Sequence, residues 1–289
     1  MGDRYRALVM YSGGLDSTLA AARILASEES ALLVTCDVRG AFGVERSRKN
    51  VERLRAAFPA RHVEHRIVNC DALRRRIWEG FADDYFQYCS SGAPGILCLA
   101  CKMAMLGVSL DLCLREGIPV LANGMSSTES DHPECKPRIV NRFADLMGRW
   151  GVAYRNEVYE IEARSIEEER LAELGIRMGL AVGSSSVTHQ PRCVLGVYST
   201  LWKAAHPLDE ADLVRYFDAR QSVVEVFLHE QGHHPADAPA PAGTRVDEAR
   251  TWKHAHEFGE RTDRTLGLAL SPLWWLSRAG IGVMRRRAP

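Results

Sequence analysis

Short apolar runs alternate with helical patterns through the first 124 residues of the chain. Four runs have the composition of buried strands: 6–11, 31–38, 62–69 and 118–122. Between them, apolar residues recur at helical spacing over 17–26, 44–58 and 103–116, and Asp71 is placed to cap a further helix. Strands that alternate with helices of this length predict βαβ units and a parallel sheet covered by helices on both faces.

The pattern weakens after residue 124. Residues 165–174 form an acidic helical segment, residues 208–234 are mostly helical in pattern, and residues 235–243 form a Pro/Ala-rich linker or loop. We therefore divide the chain into a domain over residues 1–205 and a mostly helical C-terminal extension over residues 206–289, with the linker near 235–243.

Composition narrows the class of protein. The 289 residues are 46% apolar and 26% charged, as in ordinary soluble proteins, and the zero net charge gives no global positive field for nucleic acid. No apolar segment preceded by basic residues opens the chain, so we expect no secretory signal. Pro272 and Arg278 interrupt the longest apolar stretch, so we expect no membrane span. In the cytoplasmic location that follows, the eight cysteines are thiols or ligands rather than disulfides.

A Ser-Gly-Gly turn joins the first predicted strand to the first predicted helix. Glycines let the backbone approach a ligand closely, and the free N–H groups and dipole of a helix start attract an anion. Hydroxyl groups add donors, and the Asp16 carboxylate could hold Mg²⁺ against phosphate oxygens. No Gly-Lys-Ser/Thr follows, so this is not a Walker A loop, and it is not G-x-G-x-x-G. The predicted ligands of a phosphate are Ser12, Gly13, Gly14, Asp16, Ser17 and Thr18.

The string SGGLDS at residues 12–17 resembles the signature of the PP-loop (N-type) ATP pyrophosphatase superfamily. In that superfamily the loop holds the pyrophosphate of ATP while AMP is transferred to an acceptor oxygen. The resemblance covers about residues 6–200 and makes Asp16 a catalytic candidate. It implies an α/β fold with an open, mostly parallel five-stranded sheet, helices on both faces and ATP at the carboxyl ends of the strands.

A second string, VLANGMSSTESD at residues 120–131, is similar to the second nucleotide-site motif of the same superfamily. The resemblance implies that Gly124 lets the backbone approach the nucleotide, and that Glu129 or Asp131 helps to hold Mg²⁺ or the pyrophosphate. It also places the adenine contacts at Thr35 to Asp37, just after the second strand, with Asp37 as the candidate ligand.

Cysteines suggest the branch of the superfamily. Cys98 and Cys101 form a C-x-x-C that precedes a predicted helix, a spacing that suits a metal, a cluster or a redox pair. The longer string LCLACKMAMLGVSLDLCLREGIPVLANG is similar to PP-loop tRNA-thiolation enzymes, and Cys193 would be a third member, although its context matches no single branch. Two mechanisms stay open: the three cysteines hold a 4Fe–4S iron–sulfur cluster, or one of them carries a persulfide.

A structural zinc is the alternative for the three cysteines, and it needs a fourth ligand. The candidates for that ligand are Cys89, Cys113, Cys135 and His189. A four-cysteine zinc site would resemble instead the branch that converts a carboxylate to a nitrile on a deazaguanine. Three further cysteines read as buried apolar residues of the core: Cys36, Cys70 and Cys113.

The segment FLHEQGHH contains a second candidate for zinc. His229, Glu230 and His233 match the H-E-x-x-H pattern of zinc peptidases, in which two histidines one helical turn apart bind the metal. Gly232 lies between the two ligands and Pro235 ends the helix where it should continue. A frayed helix end with surface histidines is therefore the preferred interpretation.

The predicted reaction is adenylation of an acceptor carbonyl oxygen with release of pyrophosphate, followed by displacement of AMP by sulfur from the cysteine site. The partners are ATP, a sulfur donor and an acceptor that is a tRNA nucleobase or a small metabolite; a homodimer is possible, and no membrane is involved. The alternatives are a PP-loop ligase that forms an amide or nitrile, with zinc on the cysteines, and the zinc peptidase.

Overall fold

The computed structural model describes residues 5–90, 95–129, 132–176, 191–194, 209–240, 243 and 245–248. The strands are β1 (Ala7–Met10), β2 (Ser30–Asp37), β3 (Ala41–Phe42), β4 (His62–Asn69), β5 (Val120–Asn123), β6 (Ala153–Asn156) and β7 (Arg192–Cys193). The helices are α1 (Leu15–Ser27), α2 (Arg48–Ala57), α3 (Asp71–Ile77), α4 (Phe81–Tyr88), α5 (Gly95–Glu116), α6 (Pro137–Arg149), α7 (Arg164–Glu173) and α8 (Glu210–Glu230). Short 3₁₀ turns cover Val44–Ser47, Ser127–Glu129 and Pro133–Cys135.

Five strands form one fully parallel sheet in the order β4-β2-β1-β5-β6. The central strand β1 is buried on both faces because its side chains alternate between two apolar layers. Leu8 and Met10 face the layer that α3, α5, α6 and α8 cover, whereas Ala7 and Val9 face the layer that α1, α2 and α7 cover. The prediction of an α/β fold with a parallel five-stranded sheet and helices on both faces is confirmed.

The order of the strands defines where a ligand binds. The chain runs outward from β1 through β2 to β4 and then returns to the other side of β1 as β5. Neighbouring connections at β1 and β5 therefore leave the sheet in opposite directions and open a crevice at the carboxyl ends of these two strands. The Ser-Gly-Gly turn follows β1 and the predicted second motif follows β5, so both motifs border this crevice.

Helix α5 begins at Gly95, more than two turns before the predicted start at residue 103. Cys98 and Cys101 consequently lie inside this helix, on adjacent turns of one face, and do not precede it. The helix has the length and apolarity of a membrane span, but 72% of its most apolar window is buried within the fold. It is the central core helix of this α/β domain, and the cytoplasmic location stays a prediction.

Two further details correct the sequence interpretation. Asp71 is the first residue of α3 and Cys70 is its N-cap, while the Asp71 carboxylate accepts the backbone N–H of Arg39 at 2.7 Å. The predicted helix over 44–58 begins as a 3₁₀ turn and becomes α-helical only at Arg48.

Of the predicted C-terminal extension, the structure describes mainly α8. Leu213, Phe217 and Leu228 of this helix are at most 2% exposed and belong to the same apolar layer as α5 and α6. The Pro/Ala-rich stretch packs beside the end of α6. The backbone N–H groups of Ala236 and Ala240 donate hydrogen bonds to the carbonyl oxygens of Arg149 and Gly148. The domain boundary at 205/206 falls outside the described residues and stays a prediction.

Candidate nucleotide site

The turn after β1 has the backbone of an anion site. Gly13 adopts a φ of +77°, in the left-handed region that favours glycine, so the chain reverses directly after Ser12. Gly14 is the N-cap of α1 and has no side chain with which to cap the helix. The N–H groups of the first helical turn therefore point toward whatever the turn binds, together with the positive end of the helix dipole.

Hydroxyl groups hold the turn together from within. Ser12 Oγ lies 3.0 Å from Ser17 Oγ and accepts the N–H of Gly14 at 3.2 Å. Thr18 is fully buried, and its hydroxyl donates to the Gly14 carbonyl at 2.6 Å. A phosphate contact through the Thr18 hydroxyl would first have to break this bond, whereas Ser12 is the least buried of the three hydroxyl residues.

Side chains from two other elements form hydrogen bonds to the backbone of the same turn; the sequence interpretation missed Asn50 and assigned Thr35 only an adenine contact. Asn50 on α2 is fully buried and donates its amide N–H to the Gly13 carbonyl at 2.8 Å. Thr35 Oγ1 lies 2.6 Å from the carbonyl oxygen of Tyr11 and 2.8 Å from His65 Nε2. Thr35, in the segment predicted to contact adenine, is therefore buried and hydrogen-bonded within the protein. Asp37 is half-buried at the carboxyl end of β2.

The contact between His65 and Thr35 makes the stability of the fold depend on pH. Burial, assisted by Arg48 and Arg55, lowers the pKa of His65 from 6.5 to about 4. The imidazole of His65 binds a proton more readily in the unfolded chain than in the folded protein. The contribution of neutral His65 to the free energy of unfolding is therefore complete above pH 6.5 and is lost as the pH falls toward 4.

We expect the unfolding free energy of the wild type to fall between pH 6.5 and 4 more steeply than that of His65→Gln, measured by urea denaturation at a series of pH values. The matched control is His62→Gln, which changes an exposed histidine of the same strand. Parallel pH profiles for the wild type and His65→Gln would contradict a neutral, buried His65.

Gly124 connects the two predicted motifs physically. A Cβ added at this position would lie 2.7 Å from the backbone carbon and oxygen of Asp16 and 2.7 Å from the nitrogen of Ser17. The backbone after β5 therefore packs directly on the first turn of α1. This close approach is the structural reason for a glycine at residue 124.

Three carboxylates lie near the start of α1. Glu167 on α7 is 1% exposed, and burial together with the nearby carboxyl of Asp16 raises the pKa of Glu167 to about 9. Glu129, exposed at the end of its 3₁₀ turn, adds to the same effect from a greater distance. Asp131 lies outside the described residues. An anion at the turn would meet this negative charge unless a cation neutralises it.

The three cysteines predicted to form one site lie on two elements, Cys98 and Cys101 on α5 and Cys193 on β7. Cys193 pairs with Ala41 in the short antiparallel β3–β7 ladder, and Cys101 lies within electrostatic range of both Cys98 and Cys193. Burial is the main cause that raises the pKa of the Cys101 thiol to about 12. Within the described part of the chain, however, no three His, Cys, Asp or Glu side chains are grouped to hold a metal ion.

The other candidate ligands for the cysteine site have different positions. Cys113 and Cys135 are buried in the core, and the Cys135 carbonyl accepts the Tyr159 hydroxyl at 2.7 Å. Cys89 is half-buried, and His189 lies outside the described residues. Of the cysteines predicted to be apolar core residues, Cys70 and Cys113 are fully buried, whereas Cys36 is half-buried.

The H-E-x-x-H segment does not have the geometry of a zinc site. Helix α8 ends at Glu230, and Gly232 with a φ of +85° turns the chain before His233. His233 Nε2 contacts the Asp111 carboxylate at 2.9 Å, and Glu230 forms an ion pair with Arg76. The histidines are therefore not two ligands on one helical face, and these side chains fasten the end of α8 to α5 and α3.

Taken together, the parallel sheet, the glycine turn before α1 and the close contact of Gly124 with that turn define a nucleotide-binding α/β domain of the PP-loop class. No protein-family model matches the chain. Two solved structures resemble it at low similarity. They are a predicted tRNA methyltransferase subunit from Methanocaldococcus jannaschii (15% identity, 75% of this chain and 89% of that one, TM-score 0.39) and NMN synthetase from Francisella tularensis (11%, 79% and 85%, TM-score 0.40).

Curated relatives are more similar. The 7-cyano-7-deazaguanine synthase of Cupriavidus taiwanensis is 31% identical over 188 residues, which cover 62% of this chain and 78% of the relative. The synthases of Acinetobacter baylyi and Myxococcus xanthus are each 26% identical and cover 62% and 64% of this chain, and 78% and 84% of their own lengths. The chain belongs to the 7-cyano-7-deazaguanine synthase family, within the PP-loop ATP pyrophosphatase superfamily.

Membership of this superfamily makes the protein an ATP-using enzyme. The relatives do not support the predicted sulfurtransferase activity, because each of them is named for a nitrile product. They favour the alternative that the cysteine pattern left open, an amide- or nitrile-forming ligase.

Proposed function

We propose that the protein activates a carboxylate with ATP and transfers the activated acyl group to ammonia or an amine. A carboxylate oxygen attacks the α-phosphorus, and the bond to pyrophosphate breaks. The nitrogen nucleophile then adds to the acyl carbon, loses a proton and expels AMP, which leaves an amide. A second adenylation, on the amide oxygen, followed by loss of AMP and the remaining protons, gives a nitrile.

The observation that carries this proposal is the similarity to relatives that are named for a cyano product, combined with the anion site at the start of α1. Helix N–H groups aimed at the departing pyrophosphate stabilise charge that grows in the transition state. Mg²⁺, when bound near Asp16, would neutralise the phosphate oxygens. The relatives are named for a deazaguanine product, and for this chain we propose a carboxylated heterocycle of that class as the acceptor.

A basic residue at the same edge of the sheet suits a carboxylate acceptor. Lys102 is half-buried in the first turns of α5, within electrostatic range of Cys36 at the end of β2 and of Cys135 after β5. No carboxylate of the described residues forms an ion pair with its ammonium group. Lys102 is therefore the cation that we propose for binding the acceptor carboxylate.

We expect Lys102→Met to raise the KM for the carboxylate acceptor about 10- to 100-fold, the loss of one charged hydrogen bond, while the KM for ATP stays unchanged. Steady-state kinetics with each substrate varied in turn make the measurement. Lys49→Met is the matched control, since Lys49 is an exposed lysine of α2. Equal changes in both KM values would contradict a role in acceptor binding.

Of the three candidate cysteines, Cys101 is poorly suited to sulfur transfer. A thiol must ionise to attack or to carry a persulfide, and the pKa of Cys101, raised to about 12, keeps this thiol protonated at neutral pH. The cluster or zinc at the three cysteines, the tRNA acceptor, the sulfur donor and the homodimer stay predictions.

The proposal is tested by incubation of the purified protein with ATP, 7-carboxy-7-deazaguanine and ¹⁵N-labelled ammonium. The expected products are AMP, pyrophosphate and an amide or nitrile that carries the label, detected by chromatography and mass spectrometry. A parallel reaction with sulfide in place of ammonium tests the sulfur-transfer alternative. Formation of a thio product from sulfide but no product from ammonium would overturn the proposal.

A further inference from the structure

We propose that Arg53 and Asn50 of α2 act together as positioning residues for the nucleotide loop. A chain of hydrogen bonds connects the guanidinium group of Arg53, through Asn50, to the hydroxyl group of Ser12 and directs that hydroxyl toward pyrophosphate. The proposal deepens the proposed function and rests on its use of ATP. It assigns a role to α2, which neither of the two sequence motifs contains.

The orientation of the Asn50 amide is the first observation. Asn50 is fully buried, its oxygen accepts an N–H of Arg53 at 3.0 Å, and its nitrogen donates to the Gly13 carbonyl at 2.8 Å. A guanidinium group can only donate hydrogen bonds, and a carbonyl oxygen can only accept them. Both partners therefore require the same orientation of the amide, and Asn50 cannot turn over without losing both bonds.

The peptide unit between Gly13 and Gly14 continues the chain. The carbonyl that Asn50 holds and the N–H of Gly14 belong to this one trans unit, so they point in opposite directions. The N–H of Gly14 donates to Ser12 Oγ at 3.2 Å. A peptide between two glycines rotates more easily than others, because no Cβ restricts either side. The bond from Asn50 therefore fixes the plane of the peptide that holds the Ser12 hydroxyl.

The hydrogen of the Ser12 hydroxyl is the last donor of the chain. The Ser17 hydroxyl donates to the Gly14 carbonyl at 3.3 Å and accepts the backbone N–H of Ser12 at 3.2 Å. Because a serine hydroxyl has only one hydrogen, the 3.0 Å contact between the two hydroxyl oxygens uses the hydrogen of Ser12. Ser17 is buried and Ser12 is half-buried, so Ser12 is the hydroxyl that can turn toward an anion.

The positive charge at the start of the chain strengthens the donor at its end. Arg53 donates to Asn50, Asn50 donates to the Gly13 carbonyl, and Gly14 donates to Ser12, so all the bonds run in one direction. Hydrogen bonds aligned in this way polarise one another, and a bond from an ionised donor is stronger than a neutral one. The Ser12 hydroxyl thereby becomes a better donor to the negative charge that grows on the departing pyrophosphate.

Inorganic pyrophosphate, added to the full-length protein without ATP or acceptor, is the probe, and isothermal titration calorimetry measures its affinity. We expect Ser12→Ala and Arg53→Met each to weaken binding about tenfold, the effect of one hydrogen bond to a charged group. The double variant should bind only about twofold more weakly than Ser12→Ala, because Arg53 acts through the Ser12 hydroxyl. Independent structural effects would instead multiply to about 100-fold.

Two further variants separate this role from a general loosening of α2. Arg53→Lys keeps a positively charged donor for Asn50 and should restore the affinity to within about threefold of wild type. Arg55→Met is the matched control, because Arg55 lies on the same helix and holds it to the Val63 carbonyl at 3.0 Å. Its affinity for pyrophosphate should stay within about twofold of wild type.

Thermal melts show which variants are folded, and Arg53→Gln replaces Arg53→Met in the cycle if the methionine variant is not. Losses that multiply in the folded double variant, or no binding of pyrophosphate by the wild type, would overturn the proposal. Coupled losses in a protein that forms no amide would instead leave the positioning role standing and remove only the proposed function.

Discussion

Gly124→Ala is expected to lower both the stability of the protein and its turnover of ATP. The new methyl group would stand 2.7 Å from three backbone atoms of Asp16 and Ser17, none of which can rotate away as a side chain can. Overpacking of this kind costs about 1–3 kcal/mol and displaces the first turn of α1 from the phosphate. Because positioning errors of about 1 Å cost roughly 100-fold in rate, we expect a loss of that order in kcat/KM for ATP.

Gly148→Ala is the matched control for this substitution. Gly148 lies in α6, has no positive φ, and a Cβ there would meet nothing within 4 Å. Alanine should therefore stabilise the helix by about 0.5–1 kcal/mol and leave turnover unchanged. Thermal melts and pyrophosphate release measure the two properties. Equal effects of the two substitutions would show that backbone contact at Gly124 is unimportant.

Asp16→Asn is expected to remove activity without removing stability. The carboxylate at the start of α1 is the predicted cation ligand, and loss of one electrostatic contact to a transition state costs about 100- to 1000-fold in kcat. Stability should stay nearly constant, because the amide has the size of the carboxylate and the side chain is only half-buried.

Asp218→Asn is the control for that change, because Asp218 forms only a half-exposed ion pair with Arg142 on the surface of α8. It should alter neither pyrophosphate release nor the melting temperature by more than a small amount. If Asp16→Asn kept wild-type turnover, the nucleotide loop would work without this carboxylate.

Much of the fold could be predicted because the inner strands are short apolar runs. All four predicted strands exist within two residues of their expected ends. The edge strand β6 has the sequence AYRN, and half of it is polar, so no run of apolar residues marks it. Helix α6 did carry a readable signal, with Ile139, Phe143 and Met147 on one face, and the sequence interpretation overlooked it.

The start of α5 was missed for a different physical reason. Residues 95–104 are apolar on nearly every side because the helix is buried among others, so no 3.6-residue period distinguishes helix from strand there. The C-x-x-C was predicted to precede the helix, whereas the two cysteines occupy adjacent turns within it. Cys193 is positioned by the β3–β7 ladder, which has only two residues in each strand. A ladder this short leaves no pattern in the sequence from which its position could be predicted.

The candidate site likewise has residues that could be predicted from the sequence and residues that could not. The glycine turn is contiguous in sequence, so its residues and its helix could be predicted. Asn50 and Glu167 reach the turn only through the packing of α2 and α7, and no local pattern announces such contacts. A polar side chain on the buried face of α2, between apolar positions, is the one signal that could have marked Asn50.

Transfer of oxygen from the acceptor to AMP is the most direct measure of carboxylate adenylation. The protein is incubated with ATP, ammonium and 7-carboxy-7-deazaguanine labelled with ¹⁸O in its carboxyl group, and the AMP is analysed by mass spectrometry. We expect one ¹⁸O atom in AMP and none in pyrophosphate. Unlabelled AMP, or ADP and phosphate in place of AMP and pyrophosphate, would contradict adenylation of the carboxylate.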